Sequence, residues 1–249
     1  MRRRQRSPLR VAILLLPTVC AWGPYTHQHF GAQDASRAGS AAFLAGCSAP
    51  DAFKELEPSM HSLAFATTLY NTAHQNGSAE AIDFALGWGC HLTQDAIGHH
   101  ARGFLNPKED HPLEFATDSD IYHNFGHGYS EIDSLAEALV VAASANTTAP
   151  ITEALASKAV SKFKLLTKAE SAAMEVNFLY KKQMVSDSFC NVSSFGAVTA
   201  NFNLAQKWTQ SVCSAWQVAM LTPSAADPVA EMQALVQHLF DGNNGSSCV

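Results

Sequence analysis

The sequence has few of the features that mark a membrane-spanning or β-rich protein. None of its apolar runs reaches the roughly 20 residues that a membrane-spanning helix needs. Charged residues make up 15% of the 249 residues, below the usual quarter, and we find neither a strand–turn–strand pattern nor an internal repeat. Alanine is abundant, and a chain of this length can bury one full core. The sequence therefore predicts an all-α fold in a single multi-helix domain.

Two motifs that carry chemistry in other proteins are also missing. No G-x-S-x-G stretch is present, so nothing indicates the nucleophile elbow of a serine hydrolase. No C-x-x-C pair is present, which argues against zinc held by cysteine. Of the six cysteines, Cys20 lies in the first 21 residues, which leaves an odd number, five, for the rest of the chain. Disulfides are expected in an exported protein, but the sequence leaves their pairing open.

The first 21 residues have the pattern of a secretion signal. A positively charged start is followed by the short apolar run at residues 11–16 and by small residues up to Ala21. We therefore expect a signal peptide at residues 1–21 and a secreted domain at residues 22–249 that begins at Trp22. Removing five arginines and no acidic residue lowers the formal charge from −6 to −11. Such an acidic chain is a poor partner for nucleic acid or an anionic membrane unless it binds something cationic.

Four N-x-S/T sequons fit a secreted glycoprotein and begin at Asn76, Asn146, Asn191 and Asn244. Helical spacing of apolar residues predicts a series of helices along the chain. We expect them at about residues 26–43, 61–70, 79–100, 122–144, 151–166, 169–185, 195–221 and 228–240.

The stretch "GCHLTQDAIGHH" places His91, Asp95 and His99 at successive intervals of four. This spacing puts all three side chains on one face of a helix. A rise of about 1.5 Å per residue separates His91 from His99 by roughly 12 Å, too far for both to bind one zinc ion. The spacing therefore predicts either a polar helix face or a site with several ions in which Asp95 can serve as a bridge.

A second pair at the same spacing, His127 and Glu131, follows in "HGYSE". With His99 it would give a zinc ion three protein ligands and one open position, the arrangement of a catalytic zinc. The alternative is an ordinary surface pair on a helix. The ligand register stays open at two points, because His100 competes with His99 and His123 competes with His127.

Two further candidates and the mature terminus extend the set. Asp51 in "SAPDAF" and His61 in "SMHSLAF" are candidate partners for His91 and Asp95, although each residue alone is better explained as a helix cap or an ordinary partly buried histidine. A cleaved Trp22 would carry a free α-amino group whose pKa is near 8, so a metal can displace its proton near neutral pH. His27 follows five residues later.

In this order, an N-terminal Trp, a nearby His, an Asp, a His, H-x3-D-x3-H and H-x3-E resemble the zinc-dependent phospholipase C family, which is related to the tri-zinc single-strand nucleases. The resemblance covers about residues 22–133. It implies three zinc ions in an all-α domain. One ion would be held by Asp51, His61, His91 and Asp95, a second by His99, His127 and Glu131, and a third by the amine and carbonyl of Trp22 with His27 and Asp95.

The resemblance also implies an activity, in which Asp51 acts as general base while zinc-held water attacks the phosphorus of a phosphodiester. A phospholipid at a membrane surface would then release diacylglycerol and a phosphorylated headgroup. The alternative substrates are single-stranded nucleic acid or nucleotides, for which an aromatic stacking pocket is needed. The candidate aromatics are Phe104, Phe115, Tyr122 and Phe125. A helical metal-binding protein without catalysis is the third interpretation.

Overall fold

In a computed structural model of the chain, the structure describes residues 22–34, 36–98, 117–119, 121–123, 129–176, 195–222 and 227–241. These residues form helices and connecting turns with no strand among them, which confirms the predicted all-α domain. The helices are α1 (Pro24–Ala32), α2 (Ala41–Gly46), α3 (Ala49–Phe53), α4 (Leu63–Asn76), α5 (Ala79–Gly98), α6 (Ser134–Ser144), α7 (Glu153–Val176), α8 (Phe195–Leu221) and α9 (Pro228–Asp241), with a 3₁₀ turn at Pro58–Met60.

Helix α5 is the centre of the fold and packs against α2, α4 and α8. Its glycines allow the close approach, because a Cβ at Gly87 would lie 2.1 Å from the carbonyl oxygen of Phe43 on α2. A Cβ at Gly89 would lie 2.0 Å from the indole of Trp216 on α8. The glycine-rich sequence of α5 is thus explained by contacts on two sides of the helix.

A disulfide joins Cys90 of α5 to Cys213 of α8. Cys47 is a buried free thiol at the end of α2. Cys190 and Cys248 lie outside the described residues. Within the part of the chain that the structure describes, no helix is long and apolar enough to cross a membrane.

Several predicted helix boundaries were wrong. The helix expected over residues 26–43 is broken: α1 ends at Ala32, and α2 begins only after the Ser40 hydroxyl accepts a hydrogen bond from the amide of Phe43. The helix expected over residues 122–144 is also interrupted, since residues 129–133 are not helical and Asp133 caps α6. Conversely, the two helices expected at residues 151–166 and 169–185 are joined in the continuous α7.

Candidate metal centre

Four separate segments bring five of the predicted ligands together in the interior. His27 comes from α1, Asp51 from α3, and His61 from the residue after the 3₁₀ turn. His91 and Asp95 lie one turn apart on α5. The cluster therefore depends on three helices and one turn, because no short segment of chain can surround an ion by itself.

The distances between the ligand atoms suit a shared cation. His91 Nε2 lies 3.0 Å from His61 Nε2, 3.3 Å from Asp95 Oδ2 and 3.6 Å from Asp51 Oδ1. His61 Nε2 lies 3.1 Å from Asp95 Oδ2 and 3.9 Å from Asp51 Oδ1. Ligand atoms about 2.0–2.1 Å from a tetrahedral zinc ion are themselves roughly 3.3 Å apart. Two overlapping groups therefore have spacings that could hold a metal ion: His61, His91 and Asp95 in one, and His27, Asp51 and His91 in the other.

A second grouping shares Asp95 and includes α1. His27 Nε2 lies 3.3 Å from Asp95 Oδ1, the oxygen opposite the one that faces His61 and His91. The imidazole rings of His27 and His91 stack with centroids 3.9 Å apart. Asp95 thus presents one carboxylate oxygen to each grouping, as a bridging ligand would.

Hydrogen bonds to the opposite ring nitrogens fix two of the histidine tautomers. His91 Nδ1 lies 2.9 Å from the carbonyl oxygen of Cys47, which can only accept, so Nδ1 carries the hydrogen. His27 Nδ1 lies 2.6 Å from Gln94 Oε1 in the same way. In the neutral imidazoles both Nε2 atoms then present lone pairs to carboxylates. Such an arrangement is repulsive unless a cation or a proton lies between them.

The buried polar atoms of the site fit the same conclusion. His27 Nε2 and both carboxylate oxygens of Asp95 are buried and have no hydrogen-bond partner among the described residues. A buried polar atom without a partner is costly, and metal coordination is one way to satisfy it. The residues present therefore fit zinc in number, type and spacing.

The electrostatics keep both aspartates ionised. Burial alone would raise the pKa of Asp95, but its electrostatic interaction with the adjacent His91 ring outweighs this effect and lowers the pKa well below its usual range. Burial would also raise the pKa of Asp51, but its electrostatic interactions with His91 and Lys54 lower the pKa overall. Lys54 Nζ lies 3.3 Å from Asp51 Oδ1. Both carboxylates are thus available as anionic ligands.

Trp22 is fully buried immediately before α1. Its indole N–H donates to the carbonyl oxygen of Gln94 at 3.1 Å, and its ring packs edge-on against Phe30. Trp22 therefore lies against the same turn of α5 that carries Asp95.

Two residues that sequence reasoning missed hold this segment in place. Gln94 accepts from both the His27 ring and the Trp22 indole. Asp118 accepts from the amides of Tyr25 and Thr26, at 3.0 and 2.8 Å, and from the Thr26 hydroxyl at 2.6 Å. Burial raises the pKa of Asp118 to about 6, although these hydrogen bonds act in the opposite direction.

Of the three predicted ligands of the second ion, the structure describes only Glu131. His99 and His127 lie outside the described residues, as does the alternative ligand His100. Glu131 is half exposed, and its carboxylate lies 3.1 Å from the ammonium group of Lys164. Residues 129–133 are not helical, so Glu131 does not lie on a helix, and its proposed pairing with His127 stays a prediction because His127 lies outside the described residues. The other alternative, His123, has its Nε2 3.2 Å from the carbonyl oxygen of Met174.

Comparison with known families agrees with this geometry. A sequence model described as "Zinc dependent phospholipase C" matches residues 26–177, more than half of the chain. The chain belongs to the zinc-dependent phospholipase C family. All five clustered residues lie inside the matched range, and α8 and α9 lie beyond it. No curated protein sequence and no solved structure matches the chain.

Proposed function

We propose that this member of the zinc-dependent phospholipase C family is a secreted phospholipase C that releases diacylglycerol and a phosphorylated headgroup. The observation that carries the proposal is the clustering of the five side chains in two groups that share His91, with the Nε2 lone pairs of His27 and His91 directed at carboxylates. The family match supports zinc and phosphodiester hydrolysis as the chemistry. The secretion signal and the exposed sequons at Asn76 and Asn146 support an extracellular glycoprotein.

Three zinc ions would be held by nine residues. Asp51, His61, His91 and Asp95 would hold one ion, and His99, His127 and Glu131 would hold a second. The amine and carbonyl of Trp22, with His27 and Asp95, would hold the third. Bound zinc supplies positive charge for phosphoryl oxygens and lowers the pKa of the water that it binds.

The chain's own residues provide the remaining parts of the mechanism. The Asp51 carboxylate is ionised, so its oxygen can accept a proton from water that attacks the phosphorus. Lys54 lies against the same carboxylate and orients it. Gln94 and the Cys47 carbonyl keep the hydrogens of His27 and His91 on Nδ1, away from the centre. The apolar core beneath the site excludes water from behind it.

The main alternative is a single-strand nuclease with the same metal ions. One of the residues predicted to stack on its bases, however, is unsuitable for stacking. Tyr122 is 5% exposed and packs edge-on against Tyr25 in a small core cluster. It therefore cannot offer a ring face to a nucleic-acid base without unpacking. Phe104, Phe115 and Phe125 lie outside the described residues.

The test measures zinc content together with hydrolysis of a phosphatidylcholine dispersion and of single-stranded nucleic acid, on protein confirmed to begin at Trp22. About three zinc ions per chain with lipid turnover is the expected result. Turnover of nucleic acid alone would establish the nuclease instead. Zinc binding without turnover of either substrate would leave a metal-binding protein without this activity.

A matched pair of variants on α5 sharpens this test. Asp95→Asn removes the bridging carboxylate and should lower kcat/KM at least a hundredfold, with loss of bound zinc. Asp83→Asn removes a carboxylate from the same helix, where it pairs with Arg37 and accepts from Ser40. Activity should survive Asp83→Asn. Full activity in Asp95→Asn would contradict the proposed site.

A further inference from the structure

The described lysines of this acidic protein are concentrated on one helix. Among the described residues, four of the seven lysines and arginines lie on α7: Lys158, Lys162, Lys164 and Lys168. The chain as a whole has a formal charge of −6, which becomes −11 without residues 1–21. The chain thus has a local cationic surface on α7 although its net charge is negative.

Three of these lysines share an exposed stripe of α7 with two leucines. Leu155, Lys158, Lys162, Leu165 and Lys168 recur at intervals of three and four, which places them along one side of the helix. Leu165 is 69% exposed and Leu155 is 43% exposed, two of the larger apolar exposures among the described residues. Exposed leucines between lysines are typical of a helix that lies at a lipid interface.

The ion pairs on this face do not cancel its charge. Lys162 pairs with Glu55, and both side chains are about half exposed. An exposed pair of this kind contributes little to stability and is screened by salt. Lys162 can therefore exchange Glu55 for a lipid phosphate at small cost.

The same helix adjoins the candidate metal centre. Ser171 of α7 hydrogen-bonds the hydroxyl of Tyr25, two residues before His27. Lys164 and Lys168 line a cavity of about 150 Å³ together with Tyr25 and Glu131. A lipid surface that contacts the stripe would thus lie beside residues of the proposed site.

We propose that the stripe formed by Leu155, Lys158, Lys162, Leu165 and Lys168 is the surface through which the protein binds an anionic phospholipid membrane. The proposal rests on the proposed function, since it supplies the contact that a lipid hydrolase needs with its substrate layer. Charge complementarity selects the occupant: the lysines attract anionic headgroups, while the leucines enter the boundary beneath them.

The test is flotation of the mature, zinc-loaded protein with vesicles of phosphatidylcholine alone or mixed with phosphatidylglycerol. Binding should favour the anionic vesicles and weaken as salt is raised. Lys158→Gln should lower the partition coefficient about fivefold, as expected for one basic residue near an anionic surface. Lys207→Gln, which removes an exposed lysine from α8, is the matched control and should leave binding unchanged.

The leucines offer a second matched pair. Leu165→Gln should weaken vesicle binding several-fold, whereas Leu221→Gln, at a leucine 50% exposed on α8, should not. Equal binding to both kinds of vesicle, or equal losses in the α7 and α8 variants, would overturn the proposal. Self-association that depends on Leu165 without vesicle binding would also overturn it, since a second copy would then cover the stripe.

Hydrolysis of a monomeric short-chain phospholipid separates this proposal from the proposed function. That reaction needs no membrane, so Lys158→Gln and Leu165→Gln should retain it in full. If the wild-type protein binds anionic vesicles but does not hydrolyse the monomer, the proposed function fails and the binding surface stands. If it hydrolyses the monomer without preferring anionic vesicles, the binding surface fails alone.

Discussion

At the scale of single residues, the direction of two imidazole rings decides what the site can bind. His27 and His91 both carry their hydrogen on Nδ1 and present Nε2 to Asp95, because Gln94 and the Cys47 carbonyl accept from the other side. The two acceptors differ in kind. A main-chain carbonyl is unaffected by side-chain substitution, whereas Gln94 can be replaced. Only the His27 half of the site is therefore open to a test by substitution.

We predict that Gln94→Leu lowers the affinity for the zinc ion next to His27 by about 10- to 100-fold, the usual cost of losing a hydrogen bond behind a histidine ligand. The indole contact of Trp22 should persist, since it uses the main-chain carbonyl of Gln94. Titration with a competing chelator would measure the affinity of each ion. Gln94→Glu keeps an acceptor opposite Nδ1 and should restore most of the affinity. Equal loss in both variants would contradict the role assigned to the acceptor.

The sequence predicts the metal-facing residues better than the residues that support them. Spacing alone indicated that His91 and Asp95 share a helix face, and the structure places them 3.3 Å apart. Neither Asp51 nor His61 can be identified as a metal ligand from its own sequence context, and only their combination with the other candidate ligands indicates that role. Gln94 gives no sequence signal, because nothing local tells which glutamine will face a histidine 67 positions earlier. Support from a distant segment becomes visible only when the chain is folded.

At the scale of elements, α1 begins in an unusual way. Gly23 at its N-cap contributes no side-chain hydrogen bond, and the amides of Tyr25 and Thr26 in the first turn instead donate to Asp118 from another segment. A carboxylate at this position also interacts favourably with the helix dipole. A Cβ at Gly23 would lie 2.3 Å from Asp118, so the glycine makes room for the carboxylate. Asp118 thereby fixes the helix that carries His27.

We predict that Asp118→Ala lowers the free energy of unfolding by about 2 kcal/mol and also weakens zinc binding near His27. Asp227→Ala is the control, because Asp227 caps α9 through the amide of Val229 and lies at the start of a different helix. That variant should lose about 1 kcal/mol of stability and no zinc affinity. Urea unfolding and chelator titration measure the two quantities. Unchanged zinc affinity in Asp118→Ala would restrict Asp118 to a purely structural role.

The pattern of correct and incorrect helix boundaries has a physical cause. Helix α8 coincides with its prediction because its apolar periodicity continues without a break. The break before α6 was missed because Ile132 continues the apolar spacing of a helix, yet it is buried from a non-helical segment. Periodicity reports which residues face the core and only indirectly how the backbone brings them there.

At the scale of the whole molecule, α8 supports the metal-bearing helix from outside the family match. The Cys90–Cys213 disulfide joins residues 123 positions apart and lies one residue before His91. Closing so long a loop restricts the unfolded chain strongly. Helix α8 is therefore bound covalently to α5.

We predict that reduction of this disulfide lowers the free energy of unfolding by about 3–5 kcal/mol, the range expected for a loop of this length. The double variant Cys90→Ser/Cys213→Ser should show the same loss and no further response to reductant. Denaturant unfolding with and without reductant measures both effects. A double variant that still responds to reductant would assign the stabilisation to another cysteine pair.

The position of the N-terminus should determine how many zinc ions the protein binds. Trp22 is fully buried and contacts the helix turn of Asp95, and His27 lies 3.3 Å from Asp95. The proposed third ion needs a free amine on Trp22 as a ligand. An amide nitrogen is a far poorer ligand than an amine, because it must lose a strongly held proton. Protein that begins at Ala21 should therefore bind about two zinc ions, and protein that begins at Trp22 about three. Mass spectrometry of the terminus with metal analysis measures this difference, and equal stability of the metal-free forms serves as the control. Equal zinc content would show that the Trp22 amine is not a ligand, and Asp95 would then share its second oxygen with His27 alone.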